Sequence, residues 1–170
     1  AGKIRDLLEK IEGGDDLAVG CRYIEGGGIK GSNPGSQETS LTEIWKNLNE
    51  SEDSIFAVAV SKYGNLFASF VLDSRYHDYT SGFYAVKKSV FDDIKLEGEY
   101  LDYCISFLYK ASLRGYRISE TPVTFTPRKR GKSKTANNFF SIFFHSLACL
   151  KMIFELRLVK YSRPQSHDRM

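Results

Sequence analysis

Residues 139–158, FFSIFFHSLACLKMIFELRL, constrain what this chain can fold into more than any other stretch. From Phe139 to Phe154 there is no acidic residue, and only His145 and Lys151 can carry positive charge. A helix over 138–158 would be ~31 Å long, enough to span a bilayer. Lys151, Glu155 and Arg157 fall in its last turns, however, and Phe139, Phe143, Leu147, Leu150, Phe154 and Leu158 form one stripe. The pattern predicts a helix over roughly 136–160 that lies in the headgroup region rather than crossing it. Packing as a core helix on a sheet is the other way to cover such a surface. Directly before it, Arg128–Lys134 packs five cations into seven residues.

The basic run shapes the charge of the whole chain. Residues 127–170 hold ten Lys/Arg against two acids, a net of +8. The first 126 residues hold fourteen bases against nineteen acids, a net of −5. An acidic body with a basic C-terminal third points to an anionic partner: phosphate, an anionic membrane or nucleic acid. With 170 residues, 42% hydrophobic and 26% charged, the chain is long and apolar enough for one domain with a core, and disorder is excluded as its general state. Cys21, Cys104 and Cys149 are odd in number and far apart, so neither a disulfide nor a zinc site is assigned.

Along the chain, KIRDLLEKIE (3–12) places Ile4, Leu7, Leu8 and Ile11 on one helical face, ended by Gly13-Gly14. LAVGC (17–21) reads as a buried parallel strand, with Arg22 and Tyr23 at its carboxyl end, where α/β sheets gather ligands. Residues 25–54 read as a Gly/Ser-rich loop with a short helix in LTEIWKNLNE. Residues 55–72 read as a buried or membrane-facing helix softened near Gly64. HDYTSGFYAV is a loop entering a strand, KKSVFDDI a short helix, and 99–114 a helix capped by Gly115. YRISETPVTF is a strand broken by Pro122. The expected class is α/β, with residues 1–135 as the globular part, 136–160 as the interfacial helix and 161–170 as a polar tail.

Four stretches occur in order: VGCRYIEGGG (19–28), DYTSGF (78–83), GYRISETPVTF (115–125) and FTPRKRGKSK (125–134). Together they resemble the C-terminal half of dolichyl-phosphate mannosyltransferases and related polyprenyl-phosphate glycosyltransferases, family-2 enzymes with the GT-A fold. The last stretch matches the pattern F-x-x-R-x-x-G-x-S-K at Phe125, Arg128, Gly131, Ser133 and Lys134. The resemblance implies transfer of a hexose, mannose above all, from a nucleotide-diphosphate sugar (GDP-mannose or a UDP-hexose) to dolichyl or polyprenyl phosphate. It also implies a divalent metal, Mg or Mn, on an Asp-x-Asp motif that this sequence lacks. The chain is therefore expected to begin just after the metal site, to carry no metal ligands and to be inactive alone. The family's acceptor-loop arginines are replaced by Phe56, Ala57, Val58 and Val60, and Tyr84 stands where an Arg often follows Thr-Ser-Gly-Phe. These departures bear on the acceptor more than on the reaction class.

The chemistry is also accessible from the residues. A phosphate monoester is largely a dianion at neutral pH and needs no general base. The difficulty is bringing it against a diphosphate leaving group, which takes cations, Arg for bidentate contacts and Lys as a mobile charge. Direct displacement inverts the anomeric centre. The candidate catalytic residues are Arg128, Lys134 and Ser133. The candidate substrate-binding residues are Arg22, Asp78, Ser81 and Gly82; ion pairing alone is the other role for Arg22, and a loop-shaping turn the other role for Asp78. The candidate membrane residues are Phe139, Phe140, Phe143, Phe144, Leu147 and Leu150, on the anionic cytoplasmic leaflet. No role is assigned to His77, and Glu120 is expected to pair with a nearby base. The alternatives are a basic nucleic-acid-binding module and a membrane-docking module without catalysis. The apolar helix and the motif order disfavour nucleic acid.

Overall fold

The computed structural model describes residues 2–29, 55–98, 101–126 and 139–158. Its elements in chain order are α1 (Gly2–Glu12), β1 (Leu17–Cys21), α2 (Ile55–Val71), β2 (Tyr84–Val86), α3 (Lys88–Asp93), α4 (Asp102–Leu113), β3 (Ile118–Pro122) and α5 (Phe139–Leu158). The short helix expected in LTEIWKNLNE, the basic run 128–134 and the tail 161–170 lie outside the described residues.

All five residues of β1 are buried, which is why an unbroken apolar run with Ala and Gly suits it. It is the central strand of a three-stranded sheet ordered β2-β1-β3. Its pairing with β3 is parallel, Leu17 opposite Ile118 and Cys21 opposite Pro122. Its pairing with β2 is antiparallel, Leu17 opposite Val86 and Val19 opposite Tyr84. The parallel pairing is the one expected of LAVGC, and the antiparallel neighbour is the strand expected at the end of HDYTSGFYAV; only its direction was not read from the sequence. Pro122 has no N–H to give and closes β3. Pairing resumes beyond it as a bridge between Gly28 and Thr124, with the Phe125 N–H on the Gly28 carbonyl at 2.9 Å.

The core runs from this sheet through α4 to α5. In α4, Cys104 to Ser112 are all buried. Ile105, Phe107, Leu108 and Ala111 join Leu17 and Val19 of β1, Ala68 of α2, Val90 of α3, and Ile153 and Leu156 of α5 in one apolar cluster. Each buried Val, Leu, Ile or Phe of this cluster contributes about 1.5–3 kcal/mol, and this holds the helices on the sheet. Helix α2 continues through Gly64, where softening was expected. Gly64 is exposed and a Cβ there would meet nothing within 4 Å, so only backbone entropy opposes it, and buried Asn65 and Ala68 hold the turn that follows. In α1 only Leu7 is buried; Ile4 and Leu8, on the face expected to pack, are exposed.

Helix α5 is apolar on two sides. Ile142, Ile153 and Leu156 face the core, while Phe140, Phe143, Phe144, Leu147, Leu150, Phe154 and Leu158 are exposed along the opposite side. The core thus covers one face of this helix and leaves the other exposed. Phe67 of α2 meets Phe154 of α5 edge to face at 6.0 Å, and α2 adds exposed Tyr63, Leu66 and Phe70. No helix among the described residues is long and apolar enough to cross a membrane.

Candidate functional site at the end of β1

The residue after β1 is tied to the loop 78 to 80. Arg22 donates from Nε to Asp78 Oδ2 and from Nη2 to Asp78 Oδ1, both at 2.7 Å. Its backbone N–H adds a third bond to Oδ2 at 3.0 Å. Nη2 also donates to Thr80 Oγ1 at 2.9 Å, and Nη1 reaches Ser61 Oγ at 3.4 Å. The rings of Tyr23 and Phe125 each lie 5.1 Å from the guanidinium carbon, within cation–π range. The Arg22 side chain is 12% exposed and that of Asp78 0%, so this is a buried, fork-to-fork pair. Burial works against the charged guanidinium, but the hydrogen bonds and charge of Asp78 outweigh it and hold the arginine above its ordinary pKa. Arg22 is a permanent cation here.

Asn65 braces the same loop from α2. Its Nδ2 donates to the Ser61 carbonyl and to Thr80 Oγ1, each at 2.8 Å, and its Oδ1 accepts the Thr80 N–H at 3.1 Å. Tyr23 Oη and Ser61 Oγ share a hydrogen bond at 3.1 Å. Ser81 donates its hydroxyl to the Gly20 carbonyl of β1. Gly82 follows at φ 65°, a left-handed turn that returns the chain toward β2. From β3, Glu120 Oε1 accepts the N–H groups of His77 at 2.8 Å and Asp78 at 3.2 Å, while Oε2 lies 2.7 Å from His77 Nδ1.

Of the residues singled out in the sequence, Arg22, Asp78, Ser81 and Gly82 meet at this strand end. Arg22 and Asp78 engage each other, and Ser81 engages backbone. Phe140, Phe143, Phe144, Leu147 and Leu150 lie together on the exposed side of α5, and Phe139 begins that helix. Arg128, Ser133 and Lys134 lie outside the described residues. Asn65, Thr80, His77 and the Phe125 ring were not among the candidate site residues, Thr80 being read as structural. A lone buried Asn in an apolar helix is a readable signal for the first; partners 15 to 103 residues away leave none for the others.

The cysteines are not nucleophiles at neutral pH. Burial, reinforced by the charge of Glu120, pushes the Cys21 thiol well up, and burial raises Cys104 and Cys149 too. All three are free. Among the described residues no three His, Cys, Asp or Glu side chains converge to hold a metal ion. The arrangement offers a fixed cation whose Nη1 edge meets the Ser61 hydroxyl, itself hydrogen-bonded to that of Tyr23, beside the Phe125 ring.

No protein-family profile matches the chain. Among curated proteins, it is 30% identical over 135 residues to the polyprenol monophosphomannose synthase of Mycolicibacterium smegmatis, an alignment covering 78% of this chain and 43% of that protein. It is 27% identical over 165 residues to the dolichol-phosphate mannosyltransferase of Pyrococcus furiosus, covering 94% of this chain and 40% of that protein. The chain thus spans less than half the length of either relative. By sequence it is a relative of the dolichyl-phosphate mannosyltransferase-like glycosyltransferases.

Proposed function

We propose that this chain is the acceptor-side portion of a family-2 transferase of GT-A fold. That enzyme moves a hexose, mannose foremost, from a nucleotide-diphosphate sugar to dolichyl or polyprenyl phosphate at the membrane surface, with inversion. The observation that carries the reading is its relationship to two enzymes of that name over most of its length. Phe125 lends support. It opens the F-x-x-R-x-x-G-x-S-K stretch and stacks on Arg22. The motif thus starts at the Arg22 guanidinium, and Arg128 follows three residues later in the sequence. Arg128 and Lys134 then hold the acceptor phosphate and offset the charge on the departing diphosphate, with Ser133 as a further donor. Asp78, Ser81 and Gly82 shape the floor on which the acceptor rests, and Arg22 presents its Nη1 edge.

The full enzyme would use a divalent metal, Mg or Mn; in this chain Asp78 is committed to Arg22, and among the described residues no three acidic or metal-ligating side chains converge to hold it. The exposed apolar side of α5, with Tyr63, Leu66 and Phe70 of α2, is the surface that lies on the lipid, on the cytoplasmic leaflet. The basic run beside it complements anionic headgroups.

The test is a transfer assay with the full-length protein, dolichyl phosphate in vesicles, and radiolabelled GDP-mannose or UDP-glucose in parallel. Labelled lipid of inverted anomeric configuration, formed from GDP-mannose, is the expected product. Vesicle binding without transfer from either donor would overturn the reading in favour of a docking module.

A further inference from the structure

The backbone of His77 and Asp78 is held by Glu120. The two carboxylates come from opposite sides of residue 78. Asp78 takes the guanidinium through its own side chain, while Glu120 takes the N–H groups of His77 and Asp78 on a single oxygen. Glu120 reaches them from β3, where it stands opposite Val19 of β1, two residues short of Cys21. Its side chain is 9% exposed, so its bonds are made in a poorly hydrated place where their geometry matters most. Its other oxygen meets His77 Nδ1, which fixes the carboxylate plane. The neighbours on β3, Ser119 and Thr121, point away from it by strand alternation.

We propose that Glu120 is a positioning residue for the Arg22–Asp78 pair: it pins residues 77 and 78 to the sheet so that the Asp78 carboxylate meets the guanidinium edge on. Its effect on sugar transfer runs through Arg22 and rests on the function proposed above; its effect on the pair does not. A carboxylate suits the task because one oxygen can accept two converging N–H groups while the other meets the histidine. A glutamine keeps the first oxygen. An aspartate, one methylene shorter, falls short of both.

The experiment is hydrogen exchange of the Arg22 Nε–H, read by NMR on the whole chain in detergent micelles, with the Val19 and Thr121 amides as reporters of the sheet. Glu120→Ala is expected to speed Arg22 Nε–H exchange at least tenfold with both amides still protected. Glu120→Gln is expected to stay within threefold of the parent, and Ser119→Ala to match it. Should the alanine variant fail to fold, Glu120→Asp decides, with an expected speeding of at least threefold. Parental exchange in the alanine or aspartate variant overturns the proposal, and so does loss of Arg22 protection only together with that of Val19 and Thr121. In the full-length transferase, Glu120→Ala is expected to lower kcat at least tenfold with KM for the sugar nucleotide within twofold. If the parent transfers no sugar, the functional reading fails while the exchange result still decides the role of Glu120.

Discussion

Arg22 and Asp78, 56 residues apart in sequence, close a two-pronged ion pair at 2.7 Å on each prong, under the rings of Tyr23 and Phe125. The pair joins the end of β1 to the loop that precedes β2, and through Thr80 and Asn65 it also engages α2. Removing one partner leaves the other charge buried and unmatched, which costs about 3–5 kcal/mol. Asp78→Ala should lower the urea-unfolding free energy of the chain by that amount. The double variant Arg22→Met/Asp78→Leu should recover at least half of the loss, since no charge is then left stranded. Additive losses would show that the pair is not coupled.

Three glycines separate space from backbone. At Gly20 a Cβ would lie 2.5 Å from Phe83 Cδ1 and 3.1 Å from Val123 Cγ1, so Gly20→Ala overpacks the sheet face and should cost about 1–3 kcal/mol. At Gly82 the nearest atom is 3.7 Å away, but φ is +65°, so Gly82→Ala should cost about 1–2 kcal/mol through the backbone alone. Gly64→Ala, in open space inside α2, should stabilise by about 0.5–1 kcal/mol. Urea midpoints of the three variants check the order, and a destabilised Gly64→Ala would contradict the continuous helix.

Stability should decline on the alkaline side. Burial lifts the Cys149 thiol from 9.0 to about 11. Burial, helped by the Asp93 hydrogen bond and charge, lifts the Tyr116 phenol from 10.0 to about 12. The unfolded chain ionises these groups while the fold still keeps them neutral, so their contribution is complete below pH 9 and is lost as pH rises through 9 to 12. Urea midpoints from pH 8 to 11 should fall, and Cys149→Ser should delay the onset. A flat profile would contradict the burial of both groups.

The apolar side of α5 should govern lipid binding. Phe143→Ser/Leu147→Ser removes two exposed apolar side chains without touching the core-facing Ile142, Ile153 and Leu156. Binding to vesicles rich in phosphatidylserine should weaken at least tenfold with helix content unchanged. Unaltered flotation would place the lipid contact elsewhere.

Much of this fold was legible because local pattern and tertiary context agree. The run LAVGC reads as a buried strand since both faces are covered. Gly115 and Gly14, at φ 77° and 106°, mark the ends of α4 and α1, where the turn out of the helix needs a left-handed residue. What was not legible is long-range. Nothing near Arg22 names Asp78 as its partner, nothing near His77 names Glu120, and nothing near Tyr84–Val86 says that this expected strand runs antiparallel to β1. The predicted weakness at Gly64 weighed a local propensity of about 1 kcal/mol that packing around Ala68 readily offsets. For the site, the motif order singled out Arg22, Asp78, Ser81 and Gly82, which meet at one strand end, but it could not show that Arg22 and Asp78 engage each other.

The most direct test of the central claim is the turnover of Arg128→Ala in the full-length protein, with GDP-mannose and vesicle-borne dolichyl phosphate. A cation that meets the phosphates only as the sugar transfers is worth about 3 kcal/mol, so kcat should drop at least a hundredfold while folding and vesicle binding stay at parental levels. Transfer at the parental rate would contradict the account.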